Sequence, residues 1–139
     1  MAQLPFVLTG QIVPGKQLGS QLGFPTANIA YDPQSREWPR EGVYVGVAVI
    51  GGEEGHYLAI LNQGRHPTTP SGMPTVEAHL LDYPQRPLYG RQLTLTYRAF
   101  LRPETAFPSL DALRAQLAQD RLSALEWAAA NEPQLTKGV

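Results

Sequence analysis

The sequence predicts an all-β barrel of antiparallel strands followed by a single helix. Three observations predict it. Most of the 13 glycines and 13 prolines fall in the first hundred residues, at intervals that suit turns between short strands. The runs between them alternate with period two, the signature of strands with one buried face. From Ser109 onward the leucine spacing becomes helical.

The predicted strands run in chain order. Phe6 to Val13 contains Thr9-Gly10, and Gly42 to Ile50 sets Val43, Val45, Val47 and Val49 against smaller residues. His56 to Leu61 and Thr75 to Asp82 come next. Gln92 to Phe100 points Leu93, Leu95, Tyr97 and Ala99 one way and Thr94, Thr96 and Arg98 the other. A hairpin is expected through Ile50 to His56, pairing Val49 with Tyr57, with loop glycines at positive φ. Closure into a barrel removes the exposed edges of such a sheet. In the helix, Leu110, Leu113 and Leu117 share a face, with Leu122, Leu125 and Ala129 a little further round. Ser109 serves as N-cap, Asp111 favours the first turn and Pro133 stops continuation. Residues Gln134 to Val139 are expected to fray. The whole chain, 1–139, reads as one domain, the barrel over about 4–102 and the helix over about 109–130.

Composition narrows the function. Eleven Lys and Arg against 12 Asp and Glu leave a net charge of −1, without the basic excess that phosphate-backbone binding needs, so no nucleic-acid partner is expected. There is no cysteine, hence no disulfide framework, thiolate metal site or cysteine nucleophile. No stretch approaches about 18 uninterrupted apolar residues, and the N-terminus lacks a basic start before an apolar run. A soluble cytoplasmic protein without a membrane partner, monomeric, is the expectation.

Two segments carry chemistry. Gly15, Gly19 and Gly23, with Lys16 among them, make a loop leading out of the first strand. Such loops let backbone N–H groups approach phosphate oxygens, although no Gly-Lys-Ser/Thr opens a helix here. Thr26 and Asn28, alternate residues of an extended segment, point the same way and offer neutral oxygens. Hard magnesium prefers oxygen and is commonly shared with substrate phosphates. The spacing alone leaves open that the two merely finish a turn behind Pro25.

The run Gly23-Phe24-Pro25-Thr26-Ala27-Asn28-Ile29 resembles the signature of the riboflavin kinase family, the kinase module of bifunctional riboflavin kinase/FAD synthetase. Gly42-Val43-Tyr44, Asn62 to Thr68, Val76 to Asp82, Leu88-Tyr89-Gly90 and Phe100 to Glu104 with Phe107 resemble its later motifs, in the family's order, so that the likeness runs from about Leu4 to Asp120. The resemblance implies a closed six-stranded antiparallel Greek-key barrel with a C-terminal helix, and transfer of the ATP γ-phosphate to the ribityl 5′-hydroxyl of riboflavin to give FMN and ADP. It implies that Thr26 and Asn28 hold Mg²⁺ or another divalent metal and the nucleotide phosphates, in a site that includes Gly15, Lys16, Gly19, Ser20, Gly23 and Pro25. Glu77 is then the base, because phosphoryl transfer asks for alignment, charge neutralisation and a carboxylate at the attacking hydroxyl. Asn62 belongs beside the nucleotide or in a hydrogen-bonded turn with Thr68. Flavin is expected between barrel and helix, against Arg102, Glu104, Phe107 and Leu110, with Leu113 continuing the wall. The competing reading makes Phe107 and Leu110 a hydrophobic staple and pairs Arg102 with Glu104 at the surface.

His79, two residues beyond Glu77, reads as a packing or hydrogen-bonding residue, and His56 and His66 as loop residues without metal-ligand spacing. The family usually places Arg or Lys where this chain has Ser20, so a catalytically weak flavin- or nucleotide-binding protein on the same barrel is the alternative. Many bacterial relatives carry an adenylyltransferase domain ahead of this module. A one-function kinase and an excised module both remain open, Met1 favouring the first.

Overall fold

The computed structural model describes residues 1–14, 26–67, 72–84 and 86–136, without the side chains of 65–67. Of the expected site, Gly15, Lys16, Gly19, Ser20, Gly23 and Pro25 lie outside the described residues, as does Thr68. The strands are β1 (Phe6–Val13), β2 (Thr26–Ala30), β3 (Gly42–Ile50), β4 (His56–Pro67), β5 (Pro74–Leu80) and β6 (Gln92–Arg102), followed by helix α1 (Leu110–Asn131) and a 3₁₀ turn, Pro133–Thr136. They close antiparallel in the order β1-β2-β5-β4-β3-β6. Because β2 pairs with β5 and β6 with β1, the two long connections cross between non-sequential strands, a Greek-key path rather than a simple meander. The extended segment carrying Thr26 and Asn28 is the sixth strand, β2.

Alternation decides what fills the barrel. Phe6, Leu8, Ala27, Leu61, Leu95 and Tyr97 are among the residues that point inward. At Gly46 a side chain has no room, since a Cβ there would lie 2.5 Å from Leu61 Cδ1 and 2.7 Å from the Thr96 carbonyl. Polar groups in the interior find one another: Tyr97 donates to Gln63 Oε1 at 2.7 Å, and Gln63 Nε2 donates to the Pro39 carbonyl at 2.7 Å. Burial pushes the Tyr97 hydroxyl well above the ordinary tyrosine range.

Several expectations are corrected. β3 is buried on both faces, because Val43, Val45 and Val47 point out of the barrel and meet Ala124 and Ala128 of α1. Of the leucine stripe read from the sequence, Leu117 is buried and Leu125 packs against the cluster, but the buried face runs on through Asp120, Ala124 and Ala128, while Leu110 and Leu122 stay exposed. Small alanines let the helix axis approach the valine ridge, which a leucine face would hold off. Pro133 opens the 3₁₀ turn that carries Leu135 into the same cluster, so residues up to Thr136 do not fray. The N-cap is as expected, Ser109 Oγ accepting from Ala112 N–H at 3.1 Å. In the hairpin the register pairs Val49 with His56, one residue from the expected Tyr57, and Gly52 takes positive φ.

Two single-residue shifts in β6 decide which of its side chains face outward. Gly46 pairs with Tyr97 but Val45 with Ala99, and Tyr44 pairs with Phe100 but Val43 with Arg102. Arg98 and Leu101 are the extra residues. The first shift ends the alternation of Leu93, Leu95 and Tyr97, so Ala99 falls opposite outward-facing Val45 instead of continuing the interior face.

Candidate active site

The registers of five adjacent strands line up one residue from each. Asn28 of β2 pairs with Glu77 of β5, Glu77 with Asn62 of β4, Asn62 with Val43 of β3, and Val43 with Arg102 of β6. Val43 belongs to the cluster beneath α1, so this row runs over the outside of the barrel. With neighbouring strands about 4.8 Å apart, four steps amount to about 19 Å of path over the curved surface. The expected metal arm, base and flavin arginine therefore share one register row, which wraps round the closed barrel through four of its six strand-to-strand steps.

At one end sits Asn28, 1% exposed, with neither its Oδ1 nor its Nδ2 hydrogen-bonded. A buried amide with both ends unmet costs stability and calls for a ligand or another function. Buried Thr26 lies two residues away on the same face, opposite His79. Among the described residues no cluster of three His, Cys, Asp or Glu could hold a metal by itself. The donors present are neutral oxygens beside one carboxylate, and they suit a cation that brings its own water and phosphate ligands.

Glu77, partly buried, is held by its neighbour: His79 Nε2 lies 3.0 Å from Glu77 Oε1, with the imidazole almost entirely enclosed. His79 is thus a hydrogen-bonding residue, as expected from the sequence. On the other side of Glu77, Asn62 Oδ1 is buried without a hydrogen-bond partner.

At the far end the helix is tied to the barrel. Arg102 Nε and Nη2 donate to Asp120 Oδ1 and Oδ2 at 3.0 and 2.8 Å, and Gln116 Nε2 donates to the same Oδ1 at 2.9 Å. Asp120 is 3% exposed, so this fork sits inside the barrel–helix joint. The Arg102 guanidinium also lies over the Phe107 ring, 5.7 Å from its centroid. Arg102 therefore pairs with Asp120 rather than Glu104. The Glu104 carboxylate lies instead against Gly64 of β4, where any Cβ would collide with it. Leu110 is 54% exposed at the open start of α1 and forms no staple with a buried partner.

The structure brings Thr26, Asn28, Glu77 and Asn62 together on β2, β5 and β4, and Arg102, Glu104 and Phe107 together where β6 leaves the barrel. Asp120 and Gln116 were missed by sequence reasoning. The available signal was an acid placed between Leu117 and Ala124 at helical spacing, on the face that proves buried.

Comparison with known proteins agrees with the fold. The family model for flavokinase, riboflavin kinase, matches residues 2–128. The bifunctional riboflavin kinase/FMN adenylyltransferase of Escherichia coli (strain K12) is 40% identical over 129 residues, 93% of this chain and 40% of the relative. The RNA-binding riboflavin kinase RibR of Bacillus subtilis (strain 168) is 35% identical over 115 residues, covering 82% of this chain and 47% of RibR. This chain thus spans less than half the length of these two relatives. The crystal structure of riboflavin kinase from Trypanosoma brucei superposes with a TM-score of 0.67 at 26% identity, covering 96% of this chain and 81% of that one.

Proposed function

We propose, on the premise that this chain belongs to the riboflavin kinase family, that it transfers the γ-phosphate of ATP to the 5′-hydroxyl of riboflavin, yielding FMN and ADP. The observation that supports the reading is the register row, in which Asn28, Glu77, Asn62 and Arg102 stand on the same face of the sheet. ATP phosphates lie at the Asn28 end, the isoalloxazine ring lies toward Arg102 and Phe107, and the ribityl chain runs between them to bring its 5′-oxygen to Glu77.

In the transfer the 5′-oxygen forms a bond to the γ-phosphorus, the bond from that phosphorus to the β,γ-bridging oxygen breaks, and the hydroxyl proton passes to Glu77. Thr26 and Asn28 fit a divalent cation, which when bound neutralises the charge on the phosphate oxygens. His79 fixes one Glu77 oxygen and leaves the other for the hydroxyl. Arg102, itself held by Asp120, presents a planar donor and backs the Phe107 ring. Binding therefore does most of the work, through orientation. No helix among the described residues is long and apolar enough to cross a membrane, and a soluble, monomeric cytoplasmic enzyme acting on small-molecule substrates completes the reading.

The test is to incubate the purified chain with riboflavin, ATP and magnesium and to separate the flavins by chromatography. FMN is the expected product, and its absence refutes the activity. Glu77→Gln should lower kcat by about 10²–10⁴-fold while riboflavin binding, read by quenching of flavin fluorescence, changes little. An unaffected kcat removes Glu77 from the base role.

A further inference from the structure

The register row contains one polar group that the transfer step leaves unused. Asn62 stands between Glu77 and Val43, and its Oδ1 is buried with no partner. Its neighbours along β4 face the acceptor side of the site: Ile60 packs with the helix cluster and Gly64 lies against the Glu104 carboxylate. From these contacts we infer that Asn62 accepts a hydrogen bond from a secondary hydroxyl of the ribityl chain and so reads the polyol between the flavin ring and the reacting end.

This rests on the kinase reading and deepens it. An amide oxygen needs a donor, and nucleotide phosphate oxygens at neutral pH are acceptors, so the triphosphate cannot satisfy it. Nor does the cation arm reach it. Asn28 and Asn62 flank Glu77 two strand steps apart, about 10 Å, and on the convex outside of a barrel their side chains diverge. A polyol laid along the row supplies the missing donor. If the 5′-hydroxyl is at Glu77, one strand step of about 4.8 Å matches the four-bond path from the 5′-oxygen through C5′, C4′ and C3′ to the 3′-oxygen in an extended conformation. That places the 3′-hydroxyl at Asn62. Beyond it Val43 is buried beneath α1 and offers no polar group, so Asn62 is the last polar residue of the row before the helix. Leaving a buried acceptor unmet is costly, so an acceptor that lacks this hydroxyl is rejected by lost pairing rather than by a clash.

The experiment compares 2′-, 3′- and 4′-deoxyriboflavin with riboflavin by fluorescence quenching, without turnover, on the native chain and on Asn62→Leu and Asn62→Ala. In the native chain 3′-deoxyriboflavin should bind roughly tenfold more weakly than riboflavin. In both variants riboflavin should weaken by a similar factor, and the distinction between riboflavin and its 3′-deoxy analogue should vanish. The KM for ATP should stay within twofold of native, with thermal melts confirming the fold. Native discrimination that survives in both variants overturns the inference, as does native affinity indifferent to the 3′-hydroxyl or a rise in ATP KM without one for riboflavin. Each of these leaves the kinase activity standing. A native chain that quenches no flavin and makes no FMN refutes the kinase reading and the inference with it.

Discussion

Removing Asp120 should unfasten the helix from the barrel and weaken flavin binding together. Its carboxylate receives both prongs of the Arg102 fork, at 3.0 and 2.8 Å, and a third hydrogen bond from Gln116 at 2.9 Å, with Asp120 itself 3% exposed. Breaking a fully buried pair costs about 3–5 kcal/mol because a charge is stranded. The Arg102 side chain keeps 20% of its surface in water, which lets the freed guanidinium recover some hydration, so Asp120→Ala should cost about 2–3 kcal/mol. Unfolding entropy of about 2.1 cal/mol/K per residue makes each kcal/mol worth about 3–4 °C in a chain this size, hence a fall in Tm of about 7–12 °C. The double variant Arg102→Met/Asp120→Leu, which removes both charges and keeps apolar volume, should recover most of that loss. Thermal melts read both. Arg102 no longer steadied over Phe107 should also raise the riboflavin KM of Asp120→Ala several-fold and leave that for ATP unchanged. A Tm within 2 °C of native would refute the reasoning, as would a double variant no more stable than Asp120→Ala.

Other parts of the site make separate predictions. His79→Ala should lower kcat by about 10- to 100-fold with both KM values little changed, His79→Gln should restore part of it, and Glu77→Gln/His79→Ala should be no slower than Glu77→Gln. Additive losses in steady-state kinetics would show that His79 does not act through Glu77. Thr26→Ala, Asn28→Ala and Asn28→Val should each raise the magnesium-ATP KM about tenfold or more, and Asn28→Val should also raise Tm, since the unpaired buried amide costs about 1–3 kcal/mol; a lower Tm for Asn28→Val would count against that cost. At the hairpin tip, Tyr83, Arg91 and Arg86 all donate to Glu53, and the Tyr83 hydrogen bond first and then the two arginines hold its carboxyl below the ordinary value of 4.5. A depressed folded-state pKa stabilises above the unfolded value and is lost as pH falls through the folded one. Glu53→Gln should therefore lower Tm at pH 7, with the gap to native closing below about pH 4.5; a gap that is constant or widens on acidification would contradict this.

Much of the barrel was legible because period-two alternation and turn residues are local signals. The Val43, Val45 and Val47 ridge shows where that legibility stops: alternation marks an apolar face without saying whether it points into the barrel or out beneath a helix. The helix itself was placed to within a residue or two by Ser109 and Pro133, yet its buried face was read only in part, at Leu117 and Leu125, because leucine is a stronger apolar signal than the alanines that permit close packing. Glu77, Thr26 and Asn28 could be named from a family motif. Their common line could not, since pairing β2 with β5 across 45 or more residues of chain is settled only by closure of the sheet.

The same limit applies most sharply at Arg102, and there it explains the architecture. Two extra residues, Arg98 and Leu101, interrupt β6, and nothing in its composition announces them. Without the second shift, Leu101 would stand opposite Val43. The β6 end of the row would then carry an apolar side chain in place of the guanidinium that Asp120 now grips. Bulges of this kind bend a strand and re-aim a side chain at the price of a few ladder hydrogen bonds. Here the re-aimed side chain joins three things at once: the last strand, the buried acid of the helix, and the aromatic ring expected to meet the flavin. A sheet sets distances across its strands rigidly, in steps of about 4.8 Å, which suits a reaction governed by alignment of two substrates. The bulge supplies the one adjustment that rigid spacing cannot, by choosing which residue ends the line.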